Sequence, residues 1–202
     1  MQVAVIDYKG GNVQSVLFAL ERLGVTAALT ADPAALRRAD KVLFPGEGEA
    51  SSAMQALRAS GLAAVLPTLT QPFLGICLGM QLLGQRSAEG GGERAAGGTP
   101  LLGLLPFAVE RLVPAPGLKV PHMGWNTLDN PQGPLFEGLS AEAHVYFVHS
   151  YAAPVGAYTI AEARHPEAFS AAVQHGNFYG VQFHVEKSGP AGARILQNFL
   201  NL

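Results

Sequence analysis

Five residues, Gly75-Ile76-Cys77-Leu78-Gly79, restrict how this chain can fold more than any other feature. A glycine two places to either side of a nucleophilic side chain is the spacing of a nucleophile elbow, here with cysteine at its apex. The turn is tight enough that side chains at the flanking positions would collide with it, so both must be small. An elbow of this kind joins a strand directly to a helix. The apolar run Pro72-Phe73-Leu74-Gly75-Ile76 reads as that strand, which puts Cys77 at a strand-to-helix corner.

The residues before the elbow carry the matching pattern. Val3-Ala4-Val5-Ile6-Asp7, ending in the turn Gly10-Gly11-Asn12, reads as a buried strand feeding a helix. Val13, Val16, Leu17, Leu20 and Leu23 then recur at helical spacing, and Gly24 closes the helix. Residues 25–29 read as a second strand and 34–38 as a short helix. Residues 41–44 read as a third strand, which Pro45-Gly46-Glu47-Gly48 is expected to break. Helical pattern returns over 50–60 and 62–66. Strand, helix and strand alternate, so a parallel sheet is expected.

After Gln85 the texture changes. Gly90-Gly91-Gly92 and Gly97-Gly98 flank a polar stretch that reads as a mobile loop, either a lid or a plain connection. Strand-like runs follow at 107–113, 118–127, 144–148, 158–163, 169–174 and 179–183, separated by turn residues, which reads as antiparallel additions to the parallel core. An amphipathic helix closes the chain over 191–200. The expectation is one domain over residues 1–202, three-layer α/β, with a mixed, largely parallel sheet flanked by helices.

Composition removes several function classes. Charged residues are 14% of the 202 and apolar ones 49%, so the chain is not disordered. With a formal net charge of −2 and no Lys/Arg block there is no electrostatic footprint for nucleic acid or an anionic membrane. The first seven residues lack a basic region and meet Asp7, the pattern of neither a secretory signal nor an anchor. No apolar run approaches the ~18 residues that span a bilayer. The single cysteine cannot form an internal disulfide or serve a zinc site needing two thiolates, which points to a reducing, cytoplasmic setting. Gly10-Gly11 is not followed by Gly-x-Gly-x-x-Gly, and no Walker lysine is present, so neither cofactor nor metal is expected.

For Cys77 two readings stand: a buried small hydrophobe, or a nucleophile whose thiolate is favoured by the backbone N–H groups of the following helix. A nucleophile needs a base and an acceptor to orient it. Among six histidines, His184 ends the run Val181-Gln182-Phe183 and has Glu186 two residues on, which an extended backbone would place on the same face. The alternative is a histidine satisfied locally. A zinc deaminase also uses His-x-Glu but requires a cysteine pair that this chain lacks. Acyl transfer further needs oxyanion donors. The N–H of Leu78 is the expected first, and a second is expected from Glu47 in the loop after the third strand, unless that loop is an ordinary turn.

With these segments in place the chain resembles the class I, triad-type glutamine amidotransferases. Cys77-Leu78-Gly79-Met80-Gln81, Pro121-His122-Met123-Gly124-Trp125-Asn126, His149-Ser150-Tyr151 and His184-Val185-Glu186-Lys187-Ser188, together with Asp7-Tyr8 through Asn12, are similar to the histidine-biosynthesis branch of that family, the glutaminase subunits of imidazole glycerol phosphate synthases. The resemblance implies that Cys77 attacks the side-chain amide of glutamine, with His184 as acid and then base and Glu186 holding it. It implies that Gln81 and Glu89 hold the substrate amino acid and that Gly46, Ser150 and Tyr151 line its pocket. It also implies a partner, a (β/α)8-barrel cyclase subunit that takes the ammonia through a channel and makes imidazole glycerol phosphate and an aminoimidazole carboxamide ribotide. Asn12, Pro121, His122, Met123, Gly124, Trp125 and Lys187 then fall at that interface; for Trp125 the alternative is plain core packing.

Two departures from the family pattern stand out. The oxyanion loop usually reads Pro-Gly-Val-Gly, with Glu47 here at the valine, and His-Pro-Glu is His184-Val185-Glu186. Neither removes a catalytic group, and a carboxylate near a developing oxyanion is tolerable if it points to solvent, as is expected of Glu47. The loop is expected to rest misaligned and to turn its N–H inward when the partner docks. Two rival functions remain at this level, a stand-alone cysteine hydrolase of γ-glutamyl compounds or peptides and a non-enzymatic binding module.

Overall fold

A computed structural model describes residues 1–90 and 98–202; the glycine-flanked stretch read as a mobile loop falls largely outside them. The first half alternates as expected: β1 (Val3–Ile6), α1 (Val13–Arg22), β2 (Ala27–Thr30), α2 (Pro33–Arg38), β3 (Lys41–Gly46), α3 (Ala50–Ala59), α4 (Leu62–Val65), β4 (Phe73–Cys77) and α5 (Leu78–Gln81). The second half contains β5 (Arg86–Ser87), β6 (Thr99–Pro100), β7 (Ala108–Arg111), β8 (His122–Thr127), β9 (His144–His149), β10 (Tyr151–Ala152), β11 (Thr159–Arg164), β12 (Ala168–His175), β13 (Phe178–Val181) and α6 (Gly189–Leu200).

A seven-stranded sheet in the order β11-β12-β13-β4-β3-β1-β2 forms the middle layer. Its strands β13, β4, β3, β1 and β2 run parallel, while β12 is antiparallel to both β13 and β11. Strands β1, β3, β4 and β13 are buried along their whole length, which explains their uninterrupted apolar runs, whereas the edge strand β2 is partly exposed. Val3 and Val5 of β1, Leu43 of β3 and Leu74 and Ile76 of β4 pack beneath α1 and α6, against Leu20, Ile195 and Phe199. Ala4, Ile6, Val42, Phe44 and Phe73 face the other way, onto Leu36, Met54, Leu57 and Leu62 of α2, α3 and α4. Three layers result. Among the described residues no helix is long and apolar enough to cross a membrane.

The sheet departs from expectation at three points. Pro45 does not end β3; the strand runs on to Gly46, pairing Pro45 with Ile76 and Gly46 with Cys77. Pairing to β1 stops at Leu43, so Pro45 has a ladder neighbour on one side only, where a missing N–H is tolerated. Residues 118–127 are not one strand, since β8 begins at His122. Finally, β8 and β9 do not extend the main sheet but pair with each other as a separate ribbon, and β10, β7, β5 and β6 form a second small sheet.

Candidate active site

Strand β4 is the fourth of seven, and the strands on either side run parallel to it, so three carboxyl ends meet at one edge of the sheet. That edge is where open α/β sheets bind ligands. β4 delivers Cys77, β3 delivers the loop that starts at Gly46, opposite Cys77, and the chain leaving β13 delivers His184.

The elbow is held by sterics. Cys77 has φ 55° and ψ −113°, a conformation a non-glycine residue adopts only when its surroundings impose it. A Cβ on Gly75 would lie 2.6 Å from the carbonyl oxygen of Gly79, and one on Gly79 would strike the carbonyl oxygen of Phe44. Gly46 is equally confined, its added Cβ falling 2.6 Å from the Gly79 nitrogen. Gly46 therefore lets β3 and the elbow close on each other and does not itself line the cavity, whereas Glu47 and Gly48 do. Because α5 is only four residues long, its contribution at Cys77 is that of individual N–H groups, with Leu78 first, more than of a helix dipole.

Cys77 lines a cavity of about 360 Å³ with Glu47, Gly48, Leu78, Gln81, Glu89, Val148, His149, Ser150, Tyr151, His184 and Lys187. His184 is buried, and its Nδ1 lies 2.8 Å from Glu186 Oε1. The extended backbone expected between them is instead a single 3₁₀ turn over Val185–Lys187. Ser188 closes it: its hydroxyl donates to the His184 carbonyl at 2.7 Å and accepts from the Tyr146 N–H at 3.0 Å. The second carboxylate oxygen of Glu186 is buried with no hydrogen-bond partner among the described residues. Burial alone would lower the His184 pKa, but hydrogen bonds and opposite charge from Cys77 and Glu186 outweigh it and push it up to about 10. The imidazolium is therefore the stable form of His184.

Of the other expected site residues, Gln81 is buried and donates through Nε2 to the Tyr151 carbonyl at 2.8 Å. Glu89 accepts from the Ala50 N–H at 2.9 Å, beginning α3, and burial raises its pKa against that hydrogen bond. Glu47 is 43% exposed and pairs with Lys187 at 3.5 Å across the mouth of the cavity, so its carboxylate is directed outward. Alternation along β8 divides the remaining set. Met123 and Trp125 are 63% and 56% exposed, which excludes core packing for Trp125; it meets Tyr146 edge-on at 5.7 Å. His122 turns inward and is 5% exposed, so its side chain offers nothing to a partner. Pro121 is exposed, Gly124 lies between the two exposed side chains, and Asn12 stands at the start of α1 without capping it.

Inward-facing His122 is stacked between His165 (centroids 4.2 Å apart) and Phe147 (4.7 Å), and its Nδ1 meets His149 Nε2 at 3.1 Å. His149 Nδ1 donates to the Tyr151 carbonyl at 2.8 Å. Burial, then the charge of His165, lowers the His122 pKa to about 4; burial, reinforced by His122, His165 and His184, takes His149 to about 3 despite its bond to Tyr151. Both values lie below that of an unfolded histidine, so the unfolded chain binds more protons in the window from about pH 6.5 down to these values, and stability falls on acidification there. The expected loss is about 2 kcal/mol for each at pH 5. Urea unfolding at pH 7 and pH 5 measures it, and His122→Phe should remove about half. Equal pH sensitivity of the two proteins would refute the assignment.

Residues passed over by the sequence reading also stand here. Gln182, fully buried, lies 3.8 Å through Nε2 from Cys77 Sγ. A lone amide inside the apolar run from Tyr179 to Phe183 was the available signal, since a buried polar group needs partners. Tyr8 is buried beside Gly10 with no hydrogen-bond partner for its hydroxyl among the described residues, next to the Glu47 backbone N–H without completing a bond to it. Burial holds its pKa far above the ordinary tyrosine range.

Comparison with known proteins places the chain in a family. A family model described as glutamine amidotransferase class-I matches residues 4–202. The proteins named imidazole glycerol phosphate synthase subunit HisH are similar along the whole chain. That of Bacteroides thetaiotaomicron is 49% identical over 203 residues, covering 100% of both chains, and that of Vibrio cholerae is 49% identical over 201 residues, covering 99% and 98%. Among solved structures, a glutamine amidotransferase superposes with TM-score 0.75 at 21% identity, covering 100% of this chain and 98% of the other. PurLQS from Thermotoga maritima gives 0.68 at 17%, covering 99% and 97%. At such identities the superpositions speak for the fold.

Proposed function

The chain belongs to the class-I glutamine amidotransferases, and from that premise we propose that it is a glutaminase subunit supplying ammonia to a (β/α)8-barrel cyclase in histidine biosynthesis. One observation carries the chemical part: Cys77 at the apex of a strained elbow shares a cavity with His184, itself held 2.8 Å from Glu186. Identity of 49% to HisH subunits, end to end, supports the branch. The lone cysteine is compatible with work in the reducing cytoplasm.

In this reading the Cys77 sulfur attacks the side-chain carbonyl carbon of glutamine, whose oxygen becomes an oxyanion facing the Leu78 N–H. The tetrahedral intermediate collapses, the C–N bond breaks, and His184 gives its proton to the departing ammonia, leaving a glutamyl thioester. Thioester formation consumes the thiolate that helped to raise the His184 pKa, leaving Glu186 as its support. The imidazole is then free to act as base, removing a proton from the water that releases glutamate. Gln81 and Glu89 turn acceptors toward the α-ammonium of the substrate, and Ser150 and Tyr151 form the opposite wall. The second oxyanion donor is the Glu47 N–H, beside the Tyr8 hydroxyl here, which supports a loop that must turn before the site is complete. Met123, Trp125, Asn12 and Lys187 form the partner surface, with Trp125 as an aromatic anchor.

The test is glutamate release by the purified chain, alone and with the cyclase subunit carrying its nucleotide ligand, against Cys77→Ala. Stimulation of at least about tenfold, lost in the variant, is expected. The same titration should change the emission of Trp125, the sole tryptophan. Equal rates with and without partner would favour the stand-alone hydrolase, and no release in either case would overturn the glutaminase reading.

A further inference from the structure

A set of buried polar side chains runs behind the cavity and is ordered by one carbonyl. The Tyr151 carbonyl accepts at 2.8 Å from His149 Nδ1 and at 2.8 Å from the Gln81 amide. A carbonyl oxygen only accepts, so the Gln81 atom facing it is Nε2. That same Nε2 lies 2.9 Å from Gln182, whose nearer amide atom must therefore be Oε1. The other end of the Gln182 amide, Nε2, is then directed at Cys77 Sγ, 3.8 Å away. Register explains the reach: β13 pairs Val181 with Ile76, so the next residue, Gln182, falls beside Cys77. Gln182 is completely buried, and the hydrogen bonds of its side-chain oxygen and nitrogen run to Gln81 and to Cys77.

We propose that Gln182 is a positioning residue, using the two ends of one side-chain amide to orient the nucleophile and the substrate-facing amide of Gln81 together. The inference rests on the glutaminase reading and adds the residue that sets the pocket's polarity. Two consequences follow from the direction of the bonds. With both amide hydrogens committed, to Tyr151 and to Gln182, Gln81 offers a ligand only its Oε1. An acceptor there, in the same cavity as the Glu89 carboxylate, selects a cationic group such as the α-ammonium of an amino acid and disfavours an anion. At the other end, sulfur receives an N–H donor on the side of β13, in addition to His184. Sulfur also lies 3.9 Å from the Val148 carbonyl, which a thiol can use as acceptor and a thiolate cannot. Of these two contacts, to Val148 and to Gln182, the Gln182 donor is the one available to sulfur in its attacking state.

Two substitutions separate these roles. Gln182→Glu is isosteric and keeps an acceptor for Gln81 but has no N–H for sulfur; Gln182→Leu removes both. Cys77 is the only cysteine, so iodoacetamide reports on it alone and needs neither glutamine nor partner. In the chain at pH 7, both variants should be alkylated about tenfold more slowly than the parent, the scale of one lost hydrogen bond to a charged group. In glutamate release with partner present, Gln182→Glu should lower kcat while leaving KM for glutamine within about threefold, whereas Gln182→Leu should also raise KM by about tenfold or more. Parental alkylation of Gln182→Glu would overturn the proposal, as would an equal rise of KM in both variants. If Gln182→Leu fails to fold, the isosteric variant decides by itself. Slower alkylation in a chain that releases no glutamate would retain the role of Gln182 toward sulfur and discard the glutaminase reading.

Discussion

With His184 replaced by alanine, glutamate release in the presence of the partner is expected to fall by about 10⁴-fold. The size follows from what this one side chain does in the proposed reaction: it balances the charge on sulfur, protonates the departing ammonia and later takes a proton from water. It is buried, so bulk water does not replace it, and the other imidazole of the cavity, His149, is no substitute base, because burial takes its pKa down to about 3 and its nitrogens are committed to Tyr151 and His122. Groups that act as a unit are not additive, so Cys77→Ala combined with His184→Ala should release glutamate no more slowly than either alone. Glu186→Gln keeps an oxygen near Nδ1 but loses the charge, and should cost less, about 10²-fold. The pH dependence has a definite sign. The folded pKa of His184 is raised, so its imidazolium persists until pH climbs through about 10, while the stability it brings, fully present below the unfolded value near 6.5, declines above that value and is gone once pH has passed about 10. Ammonia release should therefore not lose its acid between pH 7 and 9. Trp125 emission on titration with partner verifies that the variants still fold and dock. A loss below tenfold in His184→Ala would remove the histidine from the chemistry.

How much of this was legible beforehand depended on how far apart the interacting residues lie. The elbow is a five-residue problem: its glycines answer to collisions within the turn and with the adjacent strand, so Gly75-Ile76-Cys77-Leu78-Gly79 could be read directly. His184 and Glu186 were equally local, although the turn joining them was not, since Ser188 and the Tyr146 N–H close it from outside the motif. The layers followed from apolar runs that the sheet buries on both faces. Where the reading went astray, strand pairing decided. Pro45 is harmless in β3 because β1 has already stopped pairing, and nothing near Pro45 records where β1 stops. The 121–125 segment is one motif in sequence, but the pleat of β8 sends His122 into an aromatic stack and Met123 and Trp125 out to solvent. Gln182 was the least legible, because its meaning lies in a carbonyl at Tyr151 and an amide at Gln81, brought together only by the tertiary fold.

The elbow makes the second large prediction, one about stability. Gly79→Ala should destabilise the chain by about 5 kcal/mol or more, lowering Tm by about 15 °C. The added methyl would occupy the place of the Phe44 carbonyl oxygen, a backbone atom of β3. No rotamer relieves that contact. Withdrawing β3 would break its pairing with β4 from Val42 to Gly46, and withdrawing α5 would uncover Leu78 and Met80, which are buried against Phe44 and its neighbours. Gly24→Ala supplies the contrast. Gly24 has φ +75° with no atom within 4 Å of its added Cβ, so alanine there meets only the backbone preference, about 1 kcal/mol. Thermal and urea unfolding of both variants separates crowding from backbone strain. If Gly79→Ala melts within a few degrees of Gly24→Ala, the elbow has room to relax, and the close approach of β3 does not hold Cys77 in its strained conformation.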